Sequence, residues 1–571
     1  MDGLRTELGQ FSLLTRHFFG RMFRNETVDF EDQMKEKLIV SLAILAVFFF
    51  WASELMLFKY HFVPDIGRSW QEKNYIFTLM MLVFGVVTLL EWDVLFPDRR
   101  DFINLTPLPV RLRTVFSAKL ASFILFVALF STAMMSLSSV LFSIYLTQWR
   151  AESVALFVRY IVAHLAAGFA ACLAVFFAVV LLQVLLAAFL PAGLYKRAAL
   201  VVRFAFIAGL LFLLFSFFAA PSIVGRAFQD LDVLKESRHP FVFRFPPLWF
   251  VGLYEVLLGT RDSVFEAQAR TAGLAVALAA AAFLGSSALS YRRHVVKTLE
   301  VRKGRPAFSR IRDSCRRLLD AALFRAPEER AVHGFFSDTL RSSPRHRMSL
   351  VYYLAVGTAL VSILLAANRR SLRILTPENG LFLVLPILLA FTVLAGVRVV
   401  VDRPAALEAA WIFRLTETGR TGLYVSGLKK TVIFGFIVPM FFGVFAVHAL
   451  LWDAWTALLH ALFGLVVSCL CAEAIFYRYR KIPFACSWVP GKLKLQFTAV
   501  PWLIGILLAG TALAAVERSI LAGPSRGLVF LGVAAVAWGT LRAGNRRFYR
   551  ENGLLYEEEP EAAMIGFPAA D

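Results

Sequence analysis

Apolar residues in this chain fall into blocks close to the 20 or so residues needed to cross a hydrocarbon core of about 30 Å, and turn-rich or basic stretches separate the blocks. Spans are predicted at 38–58, 75–92, 119–146, 158–190, 200–220 and 271–291, then at 349–367, 379–401, 431–451, 455–477, 498–516 and 526–542. A backbone facing lipid must satisfy its own hydrogen bonds, so blocks of this length predict helices. The alternation over about ten residues that marks a transmembrane β-barrel is missing. The expected fold is an all-α polytopic membrane protein with about 12 transmembrane helices.

Composition agrees with this class. Of 571 residues, 59% are hydrophobic and only 18% charged, well outside the range of a soluble chain. The first apolar block begins near Leu38, behind a mixed-charge leader with no short apolar core and small-residue cleavage site, so that leader is expected to remain. The net charge of +20 lies mainly in alternate loops: Arg99 to Lys119, the 292–347 connection with Arg292, Arg293, Arg316, Arg317, Arg345 and Arg347, and Arg478 to Lys494. That distribution is topological rather than a nucleic-acid face, and by the excess of Lys and Arg it places both termini in the cytoplasm. The 221–270 loop is expected outside; its basic residues are accompanied by Asp230, Asp232 and Glu236.

The basic connection divides the spans into two sets of six, and a faint internal repeat relates them. Phe11-Ser12 and Arg16, ahead of the first set, match Phe336-Ser337 and Arg341 ahead of the second. Between the second and third spans, Leu105-Thr106 and Leu415-Thr416 are each followed, thirteen residues after the threonine, by a lysine, Lys119 and Lys429. The expected organisation is an N-terminal six-helix half (1–291), a cytoplasmic connection with a second interfacial helix (292–348), and a C-terminal six-helix half with a cytoplasmic tail (349–571).

Catalytic signatures are missing. The stretch Pro490-Gly491-Lys492-Leu493 lacks the hydroxyl and the upstream glycine of a P-loop, and there is no His-Glu-x-x-His and no Gly-x-Ser-x-Gly. Cys172, Cys315, Cys469, Cys471 and Cys486 are few and odd in number, without zinc or redox spacing. A charge at the bilayer centre costs about 3 kcal/mol, and ionisable residues fall near span ends: Arg203, Arg398, Glu473 and Glu91 at one boundary, Glu54, Arg159 and His448 at the other, with His164 the deepest. The scarcity of midplane acids speaks against an ion-driven carrier and for a transport step powered from outside the chain.

The most informative loop is Asp98-Arg99-Arg100-Asp101-Phe102-Ile103-Asn104-Leu105-Thr106-Pro107-Leu108-Pro109-Val110-Arg111. Charges alternate with apolar residues before two prolines break the chain, which suits a short interfacial helix. On physical grounds it serves equally as a helix lying on anionic lipid or as a docking site for a soluble partner.

The run LFPDRRDFINLTPLPVRLRTVFSAKL resembles the loop between the second and third spans of ABC type-2 exporter permeases. The family layout is an interfacial elbow helix, six spans per half, a cytoplasmic coupling helix in that loop and an extended outer segment between the fifth and sixth spans. By this resemblance 8–24 is the elbow, 98–113 the coupling loop with Arg99, Arg100, Asp101, Phe102, Leu105, Pro107 and Pro109, and 221–270, with HPFVFRFPPLWFVGLYEVLLG, the outer segment. In the second half, 334–346 and 402–420 repeat the elbow and coupling loop, the latter with Trp411, Phe413 and Arg414. Two departures stand out: the second half has only a short outer loop, 517–525, and its 402–420 loop lacks Pro-Leu-Pro.

The resemblance implies a non-catalytic permease subunit of an ABC exporter in the bacterial cytoplasmic (inner) membrane. The chain itself binds no cofactor; ATP is hydrolysed by a separate ABC ATPase subunit, expected in two copies, and the bilayer is the other partner. The substrate is not specified by these residues, although an apolar path fits a hydrophobic one. A secondary, ion-coupled carrier and a membrane scaffold subunit without transport are the alternatives.

Overall fold

The computed structural model describes residues 2–23, 31–61, 69–92, 107–147, 154–219, 231–237, 239–299, 322–368, 376–377, 379–405, 407–486 and 495–556. The chain divides into two units, Met1–Arg302 and Lys303–Asp571, each with its own core. Among the described residues there are twelve helices long and apolar enough to cross a membrane, six in each unit. The protein is an all-α integral membrane protein.

Unit 1 begins with α1 (Asp2–Phe23), followed by α2 (Glu31–Leu57), α3 (Trp70–Leu90), α4 (Leu112–Thr147), α5 (Val154–Phe189) and α6 (Ala192–Ala219). Three short helices come next, α7 (Leu231–Glu236), α8 (Pro240–Arg244) and α9 (Pro246–Leu258), before the last span, α10 (Ser263–Leu299). Unit 2 runs through α11 (Pro327–Ser342), α12 (Pro344–Ala367), α13 (Gly380–Asp402) and the short α14 (Ala410–Leu415). Its third span consists of α15 (Thr421–Val432), a π-helical turn (Ile433–Ile437) and α16 (Val438–Leu451). Then come α17 (Ala454–Ile475), α18 (Leu495–Ala522) and α19 (Pro524–Glu551). We call the end at which each unit's first span begins its entry face, and the opposite end its far face; six spans return the chain to the entry face.

The two units share one feature of burial. In both units the second span is the most enclosed, with 67% of its apolar window buried, against 11% and 28% for the two first spans. Chain order therefore does not give spatial order: α3 and α13 are central posts around which later spans pack.

Lipid supplies no hydrophobic drive between helices, so close approach and internal polar bonds hold the spans together. In unit 1 the segment expected as an outer stretch turns inward. Prolines 246 and 247 start α9, whose apolar face is buried against α3, α5 and α10. A Cβ on Gly252 would lie 2.8 Å from the Phe265 carbonyl oxygen, so only glycine permits this contact between α9 and α10. Glu255 of α9 accepts a bond from Lys73 of α3 at 2.5 Å and one from Thr260 at 2.8 Å. The Lys73 ammonium, 1% exposed, also lies 4.5 Å from the Tyr254 ring centre.

Two expectations are corrected. The helix expected at 334–346 runs over Pro327–Ser342 instead, because Pro327 opens it and Pro344 opens the next helix. The outer loop 517–525 shrinks to Gly523 between α18 and α19, which brings Glu517 inside a helix that crosses the membrane.

Removing one member of a buried pair strands the other charge. Lys73→Met is expected to destabilise unit 1 by about 3–5 kcal/mol, and Lys73→Met combined with Glu255→Leu by much less. Unfolding in detergent checks this: a double variant as unstable as the single would exclude the pairing as the cause.

Candidate functional site

At its entry face each unit lays an amphipathic helix across the start of its third span. In unit 1, α1 packs on α4. Leu14 and Phe18 of α1 form a buried cluster with Ala118 of α4, flanked by Phe11, Val110 and Val115. Glu7 pairs with Arg111 at 2.6 Å, and Gln10 donates to the Pro109 carbonyl at 3.5 Å. These polar contacts are exposed and contribute little, so the apolar face carries the docking. Lys119 sets its ammonium 5.8 Å from both the Phe18 and Phe123 ring centres.

In unit 2 the same junction is polar and buried. The inner face of α11 presents Glu328, Glu329, Val332, Phe336 and Thr339. Glu329 accepts from Ser426 and Lys430 of α15, both at 2.7 Å, and Lys430 also donates to the Leu323 carbonyl at 3.1 Å. Thr418 donates to Glu328 at 2.9 Å, and His333 bonds Thr431 at 3.0 Å. Gly427 makes the approach possible, since a Cβ there would lie 2.7 Å from the Glu329 Cα. Burial works to raise the Glu329 carboxyl, but the bonds from Lys430 and Ser426 and the lysine charge outweigh it and hold it below the ordinary glutamate value.

The loop entering this junction contains α14. Phe413 is buried against Phe335 of α11 and Tyr424 of α15, with ring centres 5.4 and 6.4 Å away. Arg414 lies over the Tyr556 ring at 5.1 Å. Trp411, Ile412 and Leu415 point away from the unit and are 59%, 49% and 75% exposed. One buried aromatic thus fixes a helix whose other apolar side chains form an open ridge. Behind it, Tyr556 and the Leu554 amide both donate to Glu417. The Phe484 amide donates to the Val401 carbonyl at 3.0 Å. Phe484 holds a left-handed backbone, φ 62°, with its ring among Phe335, Phe336 and His346.

Of the residues singled out in the sequence, Arg99, Arg100, Asp101, Phe102 and Leu105 lie outside the described residues. Pro107 and Pro109 sit in an exposed turn that leads directly into α4. Trp411, Phe413 and Arg414 share one short helix but do not share one role: Trp411 is open, Phe413 an internal anchor, Arg414 a bridge to the chain's C-terminal region. The repeat lysines also diverge. Lys119 meets the interfacial helix, whereas Lys429 pairs with Glu473 of α17 and its neighbour Lys430 makes the equivalent contact.

Sequence reasoning, which singled out His164 and His448, missed how such buried polar groups meet across spans. His460 of α17 and Glu517 of α18, each with a side chain 1% exposed, meet at 2.5 Å. His448 and Trp452 lie beside them, with ring centres 4.8 and 5.4 Å from that of His460. In unit 1, Ser53, Ser138 and His164 form a chain with links of 2.7 and 3.3 Å, and Phe77, Phe142 and Tyr254 surround the imidazole. Glu517 falls outside the apolar block that predicts its span, so nothing in the sequence marks it as a buried acid. Among the described residues no group of three or more His, Cys, Asp or Glu is placed to hold a metal ion.

The Glu329 junction predicts a pH dependence. Because the folded carboxyl titrates below its unfolded value, its contribution is complete above about pH 4.5 and is lost as the pH falls through the lowered folded value. Hydrogen exchange of α11 should accelerate over that acid range in the wild type. In Glu329→Gln, exchange should be fast already at neutral pH and show no such step; a matching step in the variant would exclude Glu329 as its source.

Comparison with known protein families, with curated proteins and with solved structures finds no match to this chain.

Proposed function

We propose that this chain is the membrane-spanning permease of an ABC exporter, with two permease halves fused and ATP hydrolysed by a separate subunit, in two copies, at the entry face. The reading places that face in the cytoplasm of a bacterial cell and the protein in its inner membrane. One observation carries it. In each unit a helix ahead of the first span is docked on the start of the third span, and in unit 2 the loop feeding that junction holds α14 with Trp411, Ile412 and Leu415 uncovered.

A soluble partner closing on such a ridge gains apolar burial. Force on α14 passes through Phe413 to α11 and the head of the third span, so the push reaches the membrane without a covalent link. In unit 1 the sequence repeat pairs Phe102 and Leu105 with Ile412 and Leu415. The distribution of Lys and Arg supports the assignment of faces. The chain has no P-loop of its own, which fits a division of labour in which the partner supplies the hydrolysis. The substrate class stays open between hydrophobic molecules of several kinds.

A second reading, an ion-coupled carrier, draws support from the His460–Glu517 pair, since a buried acid inside a membrane span marks an ion or proton path in many carriers. Transport assays separate the two: export that requires ATP and the partner favours the first, and movement driven by a cation gradient alone favours the second.

Purification in mild detergent is expected to recover a P-loop ATPase with the chain, while the chain alone hydrolyses no ATP. Trp411→Ala and Phe102→Ala should each weaken partner binding at least tenfold and leave thermal unfolding unchanged, the pattern of an interface anchor. Loss of stability with partner binding intact would reject the coupling role of that loop.

A further inference from the structure

The last span of the chain is the least enclosed: only 6% of its apolar window is buried. Along one side of α19 the apolar residues Leu528, Val529, Leu531 and Val536 are 51–73% exposed. Near the entry face the same side becomes basic. Arg542, Arg546 and Arg550 recur at intervals of four, which places them on one helical stripe, and Arg547 flanks it. All four are exposed and line, with Trp538, Gly539 and Glu551, a groove of about 670 Å³. The Arg542 guanidinium stacks on Trp538 at 4.3 Å, while the buried side of this turn is used internally, Asn545 accepting from the Arg478 amide at 2.8 Å. One acid, Glu551, lies near Arg547 at 3.6 Å, leaving the groove strongly positive.

We propose that this groove binds the phosphate headgroup of an anionic phospholipid whose acyl chains lie along the exposed apolar side of α19. The match is amphipathic as well as electrostatic. A free phosphate would satisfy the guanidiniums but not the apolar track that leads to them, whereas a phospholipid fits both in sequence along one helix. Guanidinium groups present paired N–H donors to phosphate oxygens, and a tryptophan at the boundary suits the headgroup region. Three arginines spread over about 12 Å of helix axis accommodate a headgroup with one or two phosphates. The inference stands independently of the exporter reading.

The test uses the full chain in detergent, with dioleoyl-phosphatidylglycerol, cardiolipin, dioleoyl-phosphatidylcholine and inorganic phosphate as probes. Native mass spectrometry of the wild type should show retained phosphatidylglycerol or cardiolipin in preference to phosphatidylcholine. In Arg542→Gln/Arg546→Gln/Arg550→Gln that preference should fall on the order of a hundredfold. The single Arg550→Gln should lose part of it and guards against misfolding of the triple variant. Equal retention of the neutral lipid by the wild type, or an undiminished preference in both variants, overturns the proposal. So does protection by inorganic phosphate equal to that by the lipids, which would mark a site for soluble phosphate. If the triple variant instead converts a dimer to a monomer and keeps its lipid preference, the face is a contact between copies of the chain and the proposal fails.

Discussion

Inside a bilayer an unpaired charge or backbone group has nothing to turn to, and the rest of this architecture depends on that constraint. Twelve helices satisfy their own backbones, but Lys73, Glu255, Lys429, Glu473, His460 and Glu517 each need a partner supplied by another helix. Each pair therefore acts as a registration point. Lys73 fixes how deeply α9 enters beneath the far face of unit 1, and Glu473 fixes the third span of unit 2 against the fourth. Apolar contacts alone would leave these helices free to slide, because a leucine facing a leucine costs about as much as a leucine facing lipid.

The third span of unit 2 shows how such pairs are used. At its entry end Ser426, Lys429, Lys430 and Thr431 are bound to α11 and α17. Immediately afterwards the helix widens into a π turn over Ile433–Ile437, with Pro439 just beyond it. A π turn inserts a residue and rotates the helix beyond it, so the two halves of the span face different neighbours. The lower half belongs to the interfacial helix and its loop, and the upper half packs Phe441 on Gly464 of α17. The break lies where a displacement at the entry face would have to be absorbed or passed on.

Much of this was legible in the chain because the relevant signals are local. Span number comes from windows of about 20 apolar residues, and the presence of a helix ahead of each unit's first span from short amphipathic stretches with matching Phe-Ser and Arg. The pairings were not legible, because they join distant positions: 182 residues separate Lys73 from Glu255, and 57 separate His460 from Glu517. Nor does composition distinguish Phe413, which is buried, from Trp411 two residues earlier, which is open. That distinction depends on Phe335 packing against the loop, a tertiary fact with no trace in the loop itself.

The connections at the far face carry one more implication. In unit 2 two of the three consist of Trp452-Asp453 and the single Gly523, with Asp453 capping α17 through the amides of Trp455 and Thr456. Such joints leave hardly any backbone for a protease, an antibody or a soluble binding protein to grip. Unit 1 instead has 43 residues between α6 and α10, among them α7, α8 and α9. At its own far face unit 1 thus offers a long stretch of chain that a soluble molecule could grip, and these two joints of unit 2 offer almost none.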